Sequence, residues 1–428
     1  MDRTEKNRQI GETRRTTLAR HEKMLCRCFE VKIDYSKLSK KRREEVNQLF
    51  REAKWFRNAY IADMKNVTYK DKAVKVKVGD EFEDRDITVL GSQIRQSIIS
   101  GVKDSLKSLK SLKDKRHKVG SLKFKSVCNC VELKQFHVTY DVDTEKSTVR
   151  VQGIKKPFKA RGLQQIPAEA EIANAKFIRK ASGLYFHITC YLPKEDKILP
   201  PRSVGIDFGI KDNLTFSDGR KPVNVCVPET KGIKLASRRM NKSLKRNGGK
   251  KGSNHRKRRQ DLRRAYEKND NRKKDLACKT VHDIVNSYNF VAIQDEMIGN
   301  WQKGLFGKEV QHSAMGVIKR RLKNSPNVYV VGRSFPSTQI CPVCGKLTRH
   351  SLDERKYDCK WCGYHHESRD VKAAGSILEE ARRIYSSLSG RESSESCSGQ
   401  ALCSGAGDIQ FQGKAPPMGI SARYTGSP

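Results

Sequence analysis

Residues 204–210 read VGIDFGI, a short apolar run of the kind that forms a buried strand, yet an aspartate stands at its centre with glycines on both sides. A carboxylate in such a strand is costly unless it meets a hydrogen bond, a base or a metal ion. The fold must therefore bring a partner to Asp207. Downstream, NLTFS predicts a second strand, Asp218 and Gly219 give a hairpin signal, and PVNVCV predicts a third strand. A long basic helical tract follows, then the apolar run FVAIQDE (290–296), a helix near 312–322, and the strand NVYVVG (327–332).

Three antiparallel strands, then strand and helix in alternation, is the order of a ribonuclease H-like α/β sheet. In such a sheet three acids from three elements converge: Asp207 in mid-strand, Glu296 at the end of FVAIQDE, and Asp370 in SRDVKAAGSIL. Asp370 opens a helix whose Val371, Ala374, Leu378 and Ala381 face inward. Together they make an open oxygen-ligand site for two Mg²⁺ or Mn²⁺ ions roughly 3.5–4 Å apart, able to activate water and stabilise the leaving oxygen of a phosphodiester. Any single aspartate between two glycines is as often a turn or ion-pair residue; three together weaken that alternative. The second acid stays open between neighbours, because strand alternation puts Asp295 and Glu296 on opposite faces. Glu296, on the face of Phe290, Ala292 and Gln294, is preferred, with Asp295 the alternative.

The segment CPVCGKLTRHSLDERKYDCKWCG (341–363) supplies four thiolates. Cys341 and Cys344 form one C-x-x-C pair, Cys359 and Cys362 the other, and each pair is followed by a glycine that lets the backbone turn tightly. This spacing predicts a four-cysteine zinc ribbon whose Zn²⁺ is structural, since four protein ligands leave no open position. His365 and His366 come too late to be needed as ligands and are expected to face nucleic acid or solvent. The first 24 residues are polar and lack an apolar core, so the chain is expected in a reducing cytoplasmic compartment. There the C-x-C pairs Cys26/Cys28 and Cys128/Cys130 read as packing residues without a second half-site.

A formal net charge of +40 over 428 residues calls for a polyanionic partner. No segment approaches the roughly 18 apolar residues that span a bilayer, which sets membranes aside. The tract 231–274 is the most basic, and Arg256, Lys257, Arg258 and Arg259 form a block suited to phosphates. A localisation signal would explain only that block. Towards the N-terminus, CFEVKI (28–33) alternates like a strand. A long helix follows with Leu49, Ala53, Phe56, Tyr60 and Met64 on one face, then a second from about Ser92 to Leu109. From Gly120 to Lys194 short β segments, SLKFKS among them, suggest a small antiparallel barrel. The proline pair in EDKILPPR (195–202) marks the main boundary, and the Ser/Gly-rich end from about Ser386 reads as a mobile tail.

These motifs resemble the TnpB family of transposon-encoded nucleases and the related compact type V CRISPR effectors. GIDFGIKD resembles the first RuvC motif, VAIQDEMIGNW the second and SRDVKAAGSIL the third, with the PSTQICPVCG…CKWCG ribbon between the last two. At the third motif Ser368 and Lys372 stand where many members have Asp and Asn. GSLKFKS and AKFIRKASGLYF resemble the wedge domain, and the N-terminal helices the recognition lobe. The resemblance implies a multidomain α/β chain: a polar N-terminus and first wedge strand (1–33), a helical recognition lobe (34–119), a wedge barrel (120–198), a RuvC-like nuclease (199–337 and 365–385) interrupted by a zinc ribbon that binds target nucleic acid (338–364), and a tail (386–428). It gives Asp207, Glu296 and Asp370 the catalytic roles and the four cysteines the zinc roles. It further implies a guide RNA as cofactor and partner, target duplex DNA read through a short flanking motif, action as a monomer or homodimer at a prokaryotic nucleoid, and nucleic-acid contacts from Lys123 and Lys125 as well as the 256–259 block. A guided binder without cleavage and a guide-independent nuclease are the alternatives.

Overall fold

A ten-residue strand, β1 (Met24–Ile33), is the spine of the first of two compact units into which the described residues divide, one within 2–194 and one within 198–392. The computed structural model describes residues 2–194, 198–351 and 353–392. In the first unit β1 follows helix α1 (Arg3–Glu22) and precedes α2 (Lys40–Ala62), the hairpin β2 (Ala73–Val78) and β3 (Glu81–Asp86), and α3 (Ser92–Asp114). Strands β4 (Cys130–Leu133), β5 (Tyr140–Asp143), β6 (Thr148–Val151), β7 (Phe158–Arg161), β8 (Glu171–Lys180) and β9 (Gly183–Pro193) complete it. Seven strands form one sheet in the order β4-β8-β9-β1-β7-β6-β5, every neighbour antiparallel. Alternation in β9 turns Leu184, Phe186, Ile188 and Cys190 into the core. They meet Val46, Leu49, Phe50, Ala53 and Phe56 of α2, so the sheet curls into a nearly closed barrel around one core.

One expected strand is not formed. SLKFKS is not a strand; its backbone is claimed by α2, where Asn58 both donates to the Lys125 carbonyl and accepts from the Lys125 amide, at 2.8 and 2.9 Å. The polar N-terminus is helical, and its end is tied down where His21 stacks on Tyr191 and Glu171 pairs with both Arg20 and His21. The buried carboxylate of Glu52 on α2 accepts from the amides of Thr88, Val89 and Leu90, fixing the segment that leads into α3.

In the second unit, β10 (Ser203–Phe208) pairs antiparallel with β11 (Leu214–Phe216) and parallel with β12 (Phe290–Gln294), which pairs parallel with β13 (Val328–Val331). Helices α4 (Lys231–Arg246) and α5 (Ser253–Ser287) lead into β12, and α6 (Ile298–Trp301), α7 (Gly307–His312) and α8 (Met315–Leu322) lead into β13. The two-strand hairpin of β14 (Tyr357–Asp358) and β15 (His365–His366) precedes α9 (Arg369–Glu392). Val204, Ile206, Phe208, Val291 and Ile293 pack against α5 and α8, whereas Ala292 and Val331 pack against Ile377, Leu378 and Ala381 of α9. Cover on both faces explains the unbroken apolar runs.

The expected third strand is absent among the described residues. PVNVCV makes only two isolated bridges, Leu214 with Val223 and Cys226 with Ser313. Pro222 has no amide to give, and the Val225 and Cys226 amides go to the side chains of Asn213 and Asn224. Helix α9 also runs past residue 386 to Glu392, and the rest of the expected tail, 393–428, lies outside the described residues.

Candidate metal centres of the second unit

Gly205 explains how the strand of Asp207 and the helix of Asp370 come together. A Cβ at this position would stand 1.9 Å from the carbonyl oxygen of Ala374, so only glycine lets α9 lie this close on β10. Asp207 is two residues further along the strand, about 6.6 Å. Asp370 is four residues back along the helix, about 6 Å. The two steps are similar in length, and the charge of Asp370 acts on Asp207, although the oxygens of the three acids do not all lie within 4.8 Å of one another. Glu296 follows two residues after β12, the parallel neighbour of β10.

Asp207 is 7% exposed, and its carboxyl is pushed well above the usual range, first by burial and then by the charges of Glu296 and Asp370. Burial raises Glu296 to about 7, and its Oε2 is buried with no hydrogen-bond partner. Asp370 is less enclosed and meets Arg355 at 3.6 Å. Asp295, next to Glu296 in the chain, is the opposite case. Burial pushes Asp295 up, but ion pairs with Lys319 at 2.8 Å and Lys323 at 2.6 Å outweigh that and hold it at about 2, and Arg333 adds a third contact at 3.5 Å. Asp295 is thus already neutralised by protein cations, while Glu296 presents an unpaired oxygen. The set offers only oxygen donors and unbalanced negative charge, which suits a hard divalent cation.

The four cysteines are the only group of three or more candidate ligands among the described residues whose donor atoms all lie within 4.8 Å of one another. The sulfurs of Cys341 and Cys362, and of Cys344 and Cys359, are 3.6 Å apart. A tetrahedron with Zn–S near 2.3 Å has edges of about 3.8 Å, whereas a disulfide needs about 2.05 Å. The donor set and spacing are compatible with structural zinc. Two matching turns build it: Gly345 and Gly363 have φ of +68° and +71°, and their amides bond back to Cys341 and Cys359 at 3.0 Å. His365 pairs with Asp358 and Glu367, and His366 accepts the Ser368 amide ahead of α9, so both histidines are engaged within the chain.

Lys123 and Lys125 have exposed side chains in the first unit. Arg256, Lys257, Arg258 and Arg259 are exposed near the start of α5, where among these four only Arg258 faces a carboxylate, Asp261 at 3.7 Å. Four residues beside the acids were not singled out as site residues from sequence: Gln294, Ser337, Arg355 and Arg369. A glutamine inside the apolar run FVAIQ was the one available signal.

The second unit thus combines a mixed sheet, whose Asp207 is electrostatically coupled to Glu296 and Asp370, with a four-cysteine, zinc-ribbon-like module. Comparison with known proteins agrees: residues 187–303 match the family described as "Probable transposase" (OrfB_IS605), and residues 321–377 match the "Cas12f1-like, TNB domain". A Streptomyces pristinaespiralis protein named "Putative RNA-guided DNA endonuclease" is 28% identical over 235 residues. That match covers 52% of this chain and 56% of the relative, so the chain spans little more than half the relative's length. The resemblance to TnpB and compact type V effector nucleases is borne out.

Proposed function

We propose that this chain is an RNA-guided DNA endonuclease that hydrolyses phosphodiester bonds at a RuvC-type, ribonuclease H-like site formed by Asp207, Glu296 and Asp370. The observation that carries this reading is a buried Asp207 coupled to Glu296 and Asp370, with one buried Glu296 oxygen unpartnered. Divalent ions held there would supply an activated water and stabilise the leaving oxygen. Asp207, at the enclosed end, and Glu296 would be the inner ligands, and Asp370, more open, the ligand nearer the entering strand. Asp295 is a support residue, fixing the end of β12 through its lysines. Zn²⁺ on Cys341, Cys344, Cys359 and Cys362 would keep the ribbon folded.

The exposed basic block at 256–259 in the second unit and, separately, Lys123 and Lys125 in the first each suit phosphate contacts with guide RNA or its DNA hybrid, which need no base code. A short motif in duplex DNA would start pairing, and the relative's name supports the guided reading. Guided binding without cleavage draws on the replaced residues of the third motif, yet both have structural work. The hydroxyl of Ser368 accepts the Val371 amide at 3.3 Å, and Lys372 bonds a backbone carbonyl. The test is cleavage of a DNA library matched to the copurifying RNA, with Asp207→Ala as control. Mg²⁺-dependent cutting lost in the variant is expected; equal cutting by both overturns the assignment.

A further inference from the structure

Two buried polar side chains flank the acids without belonging to them. Gln294 ends β12, two residues before Glu296; Lys372 lies on α9, two residues after Asp370; each is 4% exposed. Both end on one residue, Ser337, itself 5% exposed. The Ser337 hydroxyl donates to Gln294 Oε1 at 2.9 Å, and Lys372 Nζ donates to the Ser337 carbonyl at 3.1 Å. Gln294 Nε2 also donates to the carbonyl of Phe335 at 2.6 Å, so the segment before the ribbon is held from both sides.

The lysine reaches further. Its ammonium sits 3.9 Å from the ring centre of Tyr357, a fully buried ribbon residue whose hydroxyl donates to Gln339 at 3.1 Å. One turn away on the same helix, Arg369 donates to the Ser351 carbonyl at 2.6 Å, and its amide to Arg355 at 2.7 Å. An enclosed ammonium carries a desolvation cost that an apolar side chain of similar volume avoids. The charge is therefore more than filling. Its effect is directional: it ties the helix of Asp370 to the segment that Gln294 ties to the strand of Glu296.

We propose that Ser337 is a junction that sets the spacing of the acids, with Gln294 and Lys372 as positioning residues, and that through Tyr357 this spacing depends on a folded zinc ribbon. The inference rests on the acid cluster being a divalent-metal site. It gives the inserted ribbon a role in the chemistry of the acids that is separate from any contact with nucleic acid.

The test is Mn²⁺ binding to the full chain by electron paramagnetic resonance, with zinc content measured in parallel. Asp207→Ala serves as the blank for Mn²⁺ held elsewhere, including on copurifying RNA. Lys372→Met is expected to weaken Mn²⁺ binding about tenfold, the low end for groups that orient metal ligands, while keeping its zinc. Ser337→Ala, which leaves the carbonyl in place, is expected to weaken it about threefold. The pair Gln294→Leu and Lys372→Met is expected to lose less together than the product of the single losses, because both act through one residue. Wild-type Mn²⁺ affinity in Lys372→Met, or a double loss equal to the product, overturns the junction. Should Lys372→Met shed its zinc or unfold, Ser337→Ala decides, and unchanged affinity there also overturns it. A wild-type chain that binds no more Mn²⁺ than Asp207→Ala overturns both this inference and the metal reading beneath it, whereas wild-type binding with unaffected variants removes the junction alone.

Discussion

The second unit carries two candidate sites of opposite construction. The cysteine site is local: two short turns, each closed by a left-handed glycine, set four sulfurs at spacings close to those of a metal tetrahedron. The acid site is assembled at long range, from β10, the end of β12 and the start of α9, and its carboxylates repel one another in a buried place. One is closed and satisfied by its own fold once an ion is present, while the other leaves an oxygen without a partner. A structural site is built for stability and a reactive one carries unbalanced charge.

That contrast can be broken at several points. The largest expected effect is on cleavage: Asp207→Ala is expected to cut DNA about a thousandfold more slowly or not at all, with zinc content unchanged, as read by a nuclease assay and metal analysis on the same sample. Next, Cys359→Ser is expected to lose the zinc and at least about 3 kcal/mol of ribbon stability, in line with the folding energy that structural zinc supplies. Faster proteolysis within 338–364 reads that out, and retained zinc with unchanged protection contradicts it. Third, the two neighbouring acids are expected to separate: Glu296→Gln loses about a hundredfold in cleavage, whereas Asp295→Asn stays within about threefold and costs about 1 kcal/mol of stability, since its partly exposed ion pairs are screened. Reversed phenotypes would make Asp295 the ligand. The smallest effect has the opposite sign to the cysteine change. Without divalent ions, Asp207→Asn is expected to raise the melting temperature by about 2–4 °C by removing the cost of burying or protonating a repelled carboxyl; a lower value would show that Asp207 is already satisfied.

The same contrast governs what the sequence reveals. The ribbon was fully legible, because its ligands, their spacing and their glycines all lie within one short stretch. The three acids were legible as candidates, because a carboxylate inside an apolar run is an anomaly. What separates Asp295 from Glu296 was not, because it depends on Lys319, Lys323 and Arg333, which reach the strand end from elsewhere in the unit. Gly205 was visible as a glycine, but its reason, the carbonyl of Ala374 lying against it, is a tertiary fact. PVNVCV misled for a related reason: its alternation fits a strand, but Asn213 takes the Val225 amide and leaves no ladder to extend. SLKFKS likewise alternates, yet Asn58 of α2 claims its backbone.

The central claim is that one unit holds two chemically distinct metal centres, a thiolate site for zinc and an oxygen site that includes Glu296 and excludes Asp295. Anomalous diffraction from crystals of the full chain grown with zinc and soaked in Mn²⁺ tests it directly. The account requires zinc among Cys341, Cys344, Cys359 and Cys362, and manganese against Asp207, Glu296 and Asp370. Manganese held by Asp295, or none near Asp207 in an otherwise ordered unit, would contradict it.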